Sequence, residues 1–154
     1  MSSPQVSVLV ITYNQVRFIR ETVESVVRQD HDSFEVIVAD DGSTDGTAEA
    51  VSELAREFPD TVVPLLGGPN LGIPSNFNRG LERCRGELVA LQGGDDLFLP
   101  GKLRAQSDWF AADQRRVLCG HDAYVFDSDS GQNTRRYSDL TSWSEGEGPV
   151  ARRI

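Results

Sequence analysis

Two pairs of adjacent aspartates are the residues of this sequence best suited to chemistry. Asp40-Asp41 and Asp95-Asp96 each stand shortly after a run of apolar residues. A short apolar run bounded by Gly and Asp is typical of a strand buried on both faces. Carboxylates crowded at one edge of a sheet repel each other unless a cation or hydrogen-bond donors stabilise them. We therefore expect the two pairs to meet in a crevice and to bind a divalent metal or a donor-rich ligand.

The elements that must position these pairs alternate between strand and helix. Short runs of apolar residues, or of alternating apolar and polar residues, predict strands. Apolar residues at helical spacing predict helices between those strands. Asn14 is expected to cap the first helix and Gly86 to close the third. The order β-α-β-α-β-α-β predicts an α/β fold with a largely parallel sheet. The predicted strands are 6–11, 34–39, 61–66 and 87–91, and the helices are 17–29, 48–58 and 74–84.

The last third of the chain has weaker patterns. We expect a helix at 103–110, a strand at 117–126 and a further strand at 133–137. The segment 138–154 is rich in Ser, Glu and Gly and has no periodicity, so it is expected to be loosely ordered. The buried face of the third helix is predicted to consist of Phe77, Leu81 and Cys84.

Composition and charge restrict the class of protein. The chain has 154 residues, of which 38% are hydrophobic and 25% are charged, as in an ordinary globular domain. A net charge of -9 argues against a nucleic acid or an anionic membrane as the main partner. Two cysteines, Cys84 and Cys119, have no metal-ligand spacing and are expected to be reduced core residues. No targeting or membrane-spanning segment is recognisable, which predicts a cytoplasmic protein, or one at the cytoplasmic face of a membrane.

The common nucleotide-binding motifs are absent from the sequence. The one Gly-x-Gly-x-x-Ala match, at 146–151, contains Pro149 and follows no strand, so it fails as a dinucleotide fingerprint. No Gly-x-x-x-x-Gly-Lys-Ser/Thr phosphate loop is present. A nucleotide must therefore be held in another way.

Five short motifs follow one another along the chain: Ile11-Thr12-Tyr13-Asn14, Ser25-Val26-Val27-Arg28-Gln29, Asp40-Asp41-Gly42-Ser43-Thr44-Asp45-Gly46-Thr47, Asn70-Leu71-Gly72, and Gly94-Asp95-Asp96 followed by Pro100-Gly101-Lys102-Leu103. In this order and with these separations they resemble the motifs of family 2 glycosyltransferases. The resemblance covers about the first two thirds of the chain, and the ordered set is far more specific than any one motif. It implies a GT-A fold, which is a Rossmann-like three-layer sandwich with a mostly parallel central sheet.

The resemblance also implies a nucleotide site. Asp41 would accept the imide N–H of a uracil or thymine ring, and Thr12, Tyr13 and Asn14 would lie against the base. Asn78 would face the donor site, and Arg79 would reach the diphosphate or point to solvent. Each role has a structural alternative. Asp41 also fits a helix N-cap or an Asx-turn, and Tyr13 fits a half-buried aromatic residue at a strand end.

Asp95 matches the last Asp of the family's Asp-x-Asp motif, which binds a metal ion that bridges the diphosphate. The resemblance therefore implies Mg²⁺ or Mn²⁺ at Asp95, with Asp96 as the adjacent carboxylate. Both cations take carboxylate oxygens, and they stabilise charge on a leaving diphosphate. The structural alternative for Gly-Gly-Asp-Asp is an ordinary surface turn.

The sequence departs from the family pattern in three places. Gly93 replaces the first Asp of the Asp-x-Asp motif, so a carboxylate that the family places near the ribose or the metal is absent. Asn76-Phe77-Asn78 replaces the usual Ala-Arg-Asn, so a basic side chain is missing. The general base that deprotonates the acceptor hydroxyl has no recognisable counterpart and is expected beyond residue 154.

Three functions follow as hypotheses. The first is an inverting glycosyltransferase, here its donor-binding part, that transfers a sugar from a UDP- or dTDP-type donor to an unknown glycan, lipid or protein. The second is a non-catalytic nucleotide-sugar-binding module of the same fold. The third, a phosphoacceptor signalling domain, fits poorly because the first strand ends in Thr-Tyr-Asn. The predicted domain is 1–137, incomplete, with 138–154 as a tail, and an exposed sheet edge would allow a homo-oligomer.

Overall fold

The computed structural model describes residues 4–130 and 133–137. Strands and helices alternate through the first hundred residues, and all four strands predicted there are confirmed. The helices predicted at 17–29, 48–58 and 103–110 are also present, with ends that differ by a few residues. The elements are β1 Val6–Thr12, α1 Ile19–Val27, β2 Phe34–Asp40, α2 Thr47–Glu57, β3 Val62–Leu65, α3 Ile73–Leu81, β4 Leu88–Gly93, α4 Lys102–Ala111, β5 Tyr124–Phe126 and β6 Asn133–Arg136.

The first four strands form one parallel sheet in the order β3-β2-β1-β4. In β1, Thr12 lies beside Asp40 of β2, and Ile11 lies beside Gly93 of β4. The carboxyl ends of the three strands therefore lie at the same edge, as the β-α-β pattern predicted. Crossover helices connect the strands because parallel neighbours cannot be joined by a tight turn.

Apolar side chains cover both faces of this sheet. One face packs Val8, Val10, Val36 and Val38 against helices α1 and α2, and these valines are fully buried. The opposite face packs Leu9, Ile37 and Ala39 against α3. Gly80 allows α3 to lie close to the sheet, because a Cβ there would stand 2.4 Å from Leu9 Cδ1. The result is three layers, helix on sheet on helix, as the resemblance implied.

A buried polar network closes the amino-terminal edge of the sheet. Glu35 is 3% exposed and accepts hydrogen bonds from Ser7 Oγ at 2.7 Å and from the backbone N–H of Arg85 at 2.8 Å. The Arg85 guanidinium donates Nε and Nη2 to the other carboxylate oxygen. Burial raises the pKa of Glu35, but the hydrogen bonds from Arg85 and Ser7 outweigh burial and hold that pKa below its ordinary value. The network attaches the turn before β4 to β1 and β2.

The end of the third helix differs from the prediction. Helix α3 ends at Leu81, and Gly86 lies five residues beyond that end. A Cβ on Gly86 would stand 2.4 Å from the backbone nitrogen of Ser7. Gly86 is therefore required for close approach to β1 and does not cap the helix. The predicted buried face is wrong at Leu81, which is 41% exposed, while Phe77 and Cys84 are partly buried.

Two further local predictions are wrong. Asn14 does not cap α1, because the residue before that helix is Phe18 and no side chain caps it. The strand expected at 117–126 is formed only at Tyr124–Phe126. Val117 and Leu118 are 82% and 65% exposed. Their β-branched and apolar character suggested a strand, but no neighbouring strand binds this segment in the described part of the chain.

The chain divides into two compact units, residues 1–104 and 105–154. The first contains the parallel sheet. The second contains an antiparallel pair, β5 with β6, and the strand predicted at 133–137 is present as β6. The tail predicted at 138–154 lies outside the described residues, and the proposed boundary at residue 137 stays a prediction. Within the described ranges, no helix is long and apolar enough to cross a bilayer.

Candidate functional site

The candidate site is the crevice at the carboxyl ends of β1, β2 and β4. Asp40-Asp41 ends β2, Asp95-Asp96 follows β4, and β1 lies between these strands. Neighbouring strands are about 4.8 Å apart, so β2 and β4, which lie on either side of β1, are roughly 10 Å apart. One elongated ligand can therefore contact both pairs.

The two aspartates after β2 have different contacts. Asp40 is 1% exposed, and its carboxylate accepts the backbone N–H of Ser43 at 3.1 Å and the Ser43 hydroxyl. Asp41 is 4% exposed and accepts the backbone N–H groups of Leu71 at 2.8 Å and Gly72 at 2.9 Å, one on each oxygen. The turn role that the sequence offered for Asp41 is thus performed by Asp40. A carboxylate offers about four acceptor directions, so Asp41 retains capacity for a ligand N–H.

The loops that follow β1 and β2 are joined by reciprocal hydrogen bonds. The Asn14 N–H donates to Ser43 Oγ at 2.8 Å, and Asn14 Oδ1 accepts the N–H of Thr44 at 2.8 Å. Asp45 accepts the N–H groups of Val16 and Thr47. Burial raises the pKa of Asp45, but these hydrogen bonds and that of the Thr47 hydroxyl lower it below its ordinary value. Asn14 takes a left-handed conformation, with φ of 53°, to make both contacts.

Replacing Asn14 is expected to loosen this connection. Asn14→Ala removes the acceptor for the Thr44 N–H and loses the tolerance of positive φ that asparagine has over alanine, at a cost of about 1–3 kcal/mol. Asn14→Asp keeps both the acceptor and tolerance of positive φ, and Asn14→Gly keeps only the latter. Urea unfolding should rank the variants Asp, then Gly, then Ala in decreasing stability. Equal stability of the Ala and Asp variants would contradict this role of Asn14.

The turn before Asp95 is seated on β1 and α1. A Cβ on Gly94 would lie 2.3 Å from Gln15 Oε1 and 2.7 Å from Thr12 Cβ, so no larger residue fits there. The Gly94 carbonyl accepts the buried Thr22 hydroxyl at 3.0 Å. The Thr12 hydroxyl donates to Gln15 Oε1 at 2.9 Å. Backbone contacts of this kind place the Asp95-Asp96 pair accurately at the edge of the crevice.

The Asp95 and Asp96 carboxylates converge above Gly93. A Cβ on Gly93 would lie 3.2 Å from Asp95 Oδ1 and 3.0 Å from Asp96 Oδ2. Burial, and then the charge of Asp95, raise the pKa of Asp96 above its ordinary value. The described residues contain no group of three or more His, Cys, Asp or Glu side chains that would hold a metal ion. Two hard oxygen donors still fit Mg²⁺ or Mn²⁺, which usually binds one or two carboxylates together with substrate phosphates.

A polar stripe on α1 holds the segment that follows this pair. The Ser25 hydroxyl accepts the Phe98 N–H at 3.0 Å. The Gln29 side chain donates to the Leu99 carbonyl at 3.0 Å and accepts the Leu103 N–H at 3.2 Å. These contacts explain why polar Ser25 and Gln29 occur near the end of α1 and just beyond it. The Ser25-to-Gln29 motif therefore supports the segment that follows the Asp95-Asp96 pair, and in this way helps to position the crevice.

The remaining predicted nucleotide residues occupy different environments. Tyr13 is 47% exposed beside the crevice, whereas Thr12 is 3% exposed. Asn78 is exposed on α3. Arg79 donates to the backbone carbonyls of Gly67 and Asp40. Nucleotide contact by each of these residues stays a prediction.

Sequence reasoning missed the residues that hold the loops in place. Gln15 and Thr22 fix Gly94, while Ser43 and Asp45 join the loops after β1 and β2. The density of short polar side chains in residues 43–47 was the available signal, since Ser, Thr and Asp commonly bond nearby backbone groups. Their partners lie about thirty residues away, as for Asn14 and Ser43.

Comparison with known proteins agrees with this fold. EpsE of Bacillus subtilis, described as a putative glycosyltransferase, is 32% identical over 126 residues, covering 82% of this chain and 45% of EpsE. The mannosyltransferase PcManGT from Pyrobaculum calidifontis, in complex with GDP-Man and Mn²⁺, matches with a TM-score of 0.68 and 30% identity over 79% of this chain and 36% of its own. S. aureus TarS 1-349 in complex with UDP matches with a TM-score of 0.65 and 30% identity over 71% of this chain and 33% of that one.

The architecture is therefore that of GT-A glycosyltransferases, as the resemblance implied. The model of glycosyl transferase family 2 matches residues 7–150, and the chain belongs to that family. The chain spans less than half the length of each of the three proteins compared.

Proposed function

We propose that this chain is the donor-binding part of an inverting family 2 glycosyltransferase that uses a UDP- or dTDP-type sugar. The observation that carries the proposal is the pair of carboxylate groups at the ends of β2 and β4, with β1 between them. The spacing of roughly 10 Å between β2 and β4 suits a nucleoside diphosphate whose base lies at Asp41 and whose diphosphate lies at Asp95. The neighbouring structures with GDP-Man and with UDP support a nucleotide-sugar ligand.

The residues of this chain have separate tasks in the proposed reaction. Asp41 accepts a ring N–H, Tyr13 lies along the base, and Asp95 with Asp96 holds Mg²⁺ or Mn²⁺. A cation held there would supply the positive charge that stabilises a leaving nucleoside diphosphate. In the transfer itself the acceptor oxygen attacks the anomeric carbon, the bond to the diphosphate breaks, and a general base takes the acceptor proton. We assign no residue of this chain to that base.

Base selectivity tests the nucleotide assignment. Wild-type protein is expected to bind UDP about 10- to 100-fold more tightly than CDP, because only uracil presents a ring N–H to the Asp41 carboxylate. Asp41→Ala should reduce this ratio towards one. The ratio of the UDP and CDP affinities is the readout, because loss of the contacts from Asp41 to Leu71 and Gly72 weakens the binding of both ligands equally. Calorimetric titration gives both affinities, and Asp60→Ala, an exposed aspartate before β3, is the matched control.

Failure of wild type to bind UDP, dTDP and GDP would overturn the proposal. A preference for GDP would leave the assigned site standing and change the assigned base from uracil or thymine to guanine, since guanine also presents ring N–H groups. Equal binding of UDP and CDP by wild type would remove Asp41 as the base-recognising residue.

The alternative is a nucleotide-sugar-binding module without turnover. Gly93, which stands where the family carries the first Asp of its metal motif, favours this alternative because one carboxylate is lost from the site. Both functions require nucleotide binding, so only transfer of sugar from UDP-sugar to an added acceptor separates them.

Location and partners complete the proposal. We place the protein in the cytoplasm, or at the cytoplasmic face of a membrane, because nucleotide sugars are cytoplasmic substrates and both cysteines are free. The acceptor is a glycan, a lipid or a protein. The edge strand β4 exposes Val89 and Leu91, and a homo-oligomer would form through this edge. Sedimentation across concentrations tests that association.

A further inference from the structure

The segment Gly67–Gly72, here called the glycine loop, is seated on the end of β2. It connects β3 with α3, and Gly67, Gly68 and Gly72 have φ values of 81°, 97° and 80°. The loop backbone packs against Gly42, where a Cβ would lie 2.8 Å from the Gly68 carbonyl oxygen and 3.1 Å from the Asn70 nitrogen. Three glycines give an isolated loop great conformational freedom, so specific contacts must hold one conformation.

Asp41 holds the last residues of the glycine loop. Its two carboxylate oxygens accept the N–H groups of Leu71 and Gly72 at 2.8 and 2.9 Å. Hydrogen bonds from two backbone amides to one buried carboxylate are charge-assisted and short. The same carboxylate lies at the proposed base-binding end of the crevice. The position of the loop is therefore coupled to the group that would contact the base.

Arg79 holds the first residues of the loop from the other side. Nη1 donates to the Gly67 carbonyl at 2.9 Å, and Nη2 donates to the Asp40 carbonyl at 2.5 Å, with the Leu65 carbonyl at 3.4 Å. Nη2 also contacts Asn76 Oδ1 at 2.9 Å. The buried Nε atom of Arg79 has no hydrogen-bond partner among the described residues. The contacts of Nη1 and Nη2 with the carbonyls therefore determine the position of the guanidinium.

We propose that Arg79 and Asp41 act together as positioning residues that hold the glycine loop as a fixed wall of the nucleotide crevice. Arg79 holds carbonyl groups where the loop begins, and Asp41 holds amide groups where it ends. This assigns Arg79 to the loop and not to the diphosphate. The inference rests on the proposed function for its effect on nucleotide affinity, whereas the clamp itself is testable without a ligand. A crevice whose wall is already ordered binds the nucleotide more tightly, because less conformational entropy is lost on binding.

Nucleotide fragments distinguish the two roles of Arg79. If Arg79 positions the loop, Arg79→Met should weaken UDP and uridine by the same factor, about tenfold. If Arg79 contacts the diphosphate, UDP binding should weaken while uridine binding stays unchanged, which would overturn the proposal. Arg79→Lys should resemble Arg79→Met, because one ammonium nitrogen cannot occupy both the Nη1 position that bonds the Gly67 carbonyl and the Nη2 position that bonds the Asp40 carbonyl. Arg83→Met, an exposed arginine on the next turn, controls for loss of charge.

Amide hydrogen exchange tests the clamp independently of any nucleotide. The Leu71 and Gly72 amides should exchange slowly in wild type and about tenfold or more faster in Arg79→Lys and in Asp41→Asn. Arg83→Met should match wild type. Unchanged exchange in Arg79→Lys would overturn the clamp even if nucleotides bind. Faster exchange in a protein whose wild type binds no nucleotide would leave the clamp standing and reject the proposed function.

Discussion

Asp95→Asn is expected to abolish most of the gain in UDP affinity that Mn²⁺ gives the wild-type protein. Asp95 Oδ1 and Asp96 Oδ2 converge above Gly93, and the carboxylates are the hard ligands that the cation requires. An asparagine keeps the shape of the side chain and removes its charge. Loss even of a residue that only supports a metal ligand costs 10- to 100-fold in affinity, so we expect roughly a hundredfold here. Calorimetric titration of UDP with and without Mn²⁺ measures the gain.

The design of this experiment separates metal binding from nucleotide binding. Affinity for UDP in the absence of metal should be preserved in Asp95→Asn, because the base contacts Asp41 at the other end of the crevice. Asp60→Asn serves as the matched control for loss of one exposed carboxylate. A full Mn²⁺ effect in Asp95→Asn would show that the cation binds elsewhere. The absence of a Mn²⁺ effect in wild type would show that Gly93 leaves too few ligands.

Glu35→Gln is expected to lower the free energy of unfolding by about 2 kcal/mol at pH 7. The Glu35 carboxylate is buried and accepts donors from Ser7 and from both the backbone and side chain of Arg85. A glutamine would direct an N–H₂ group towards the Arg85 guanidinium, so one contact becomes donor against donor. Urea unfolding measures the change. UDP affinity at pH 7 should be unaffected, because Glu35 and Asp41 lie at opposite ends of β2.

The pH dependence identifies the carboxylate as the cause. The pKa of Glu35 is lowered from 4.5 in the folded protein, so its contribution is complete above that value and is lost as the pH falls through the lowered folded pKa. Wild type and Glu35→Gln should therefore converge in stability in acid. Glu57→Gln, which removes an exposed partner of Arg20, should change stability little at any pH. A stability difference for Glu35→Gln that persists unchanged in acid would contradict this account.

The sheet and the location of the crevice were predictable from the sequence because both depend on local patterns. Each apolar run of the first hundred residues requires burial, and alternation with amphipathic helices requires parallel strands. Parallel strands place their carboxyl ends together, so the sequence pattern alone predicts Asp40-Asp41 and Asp95-Asp96 at one edge of the sheet. The strand predicted at 117–126 forms only at Tyr124–Phe126, because a strand requires a neighbouring strand and the pattern of one segment does not supply that neighbour.

The contacts of the candidate site depended on the tertiary structure. Asp40 and Asp41 are adjacent and chemically identical, yet one closes its own turn and the other binds the glycine loop thirty residues away. The sequence left Arg79 open between the diphosphate and solvent, and the approach of α3 to the ends of β2 and β3 places backbone carbonyls around its guanidinium.

The sequence by itself thus determined the class of fold, the family and the edge at which the carboxylates lie, because hydrophobic periodicity and ordered motifs are local properties. The tertiary structure alone decided which polar group each side chain meets. Gly86 shows the reason: its lack of a side chain matters only because the backbone of Ser7, 79 residues earlier, lies where a Cβ would be.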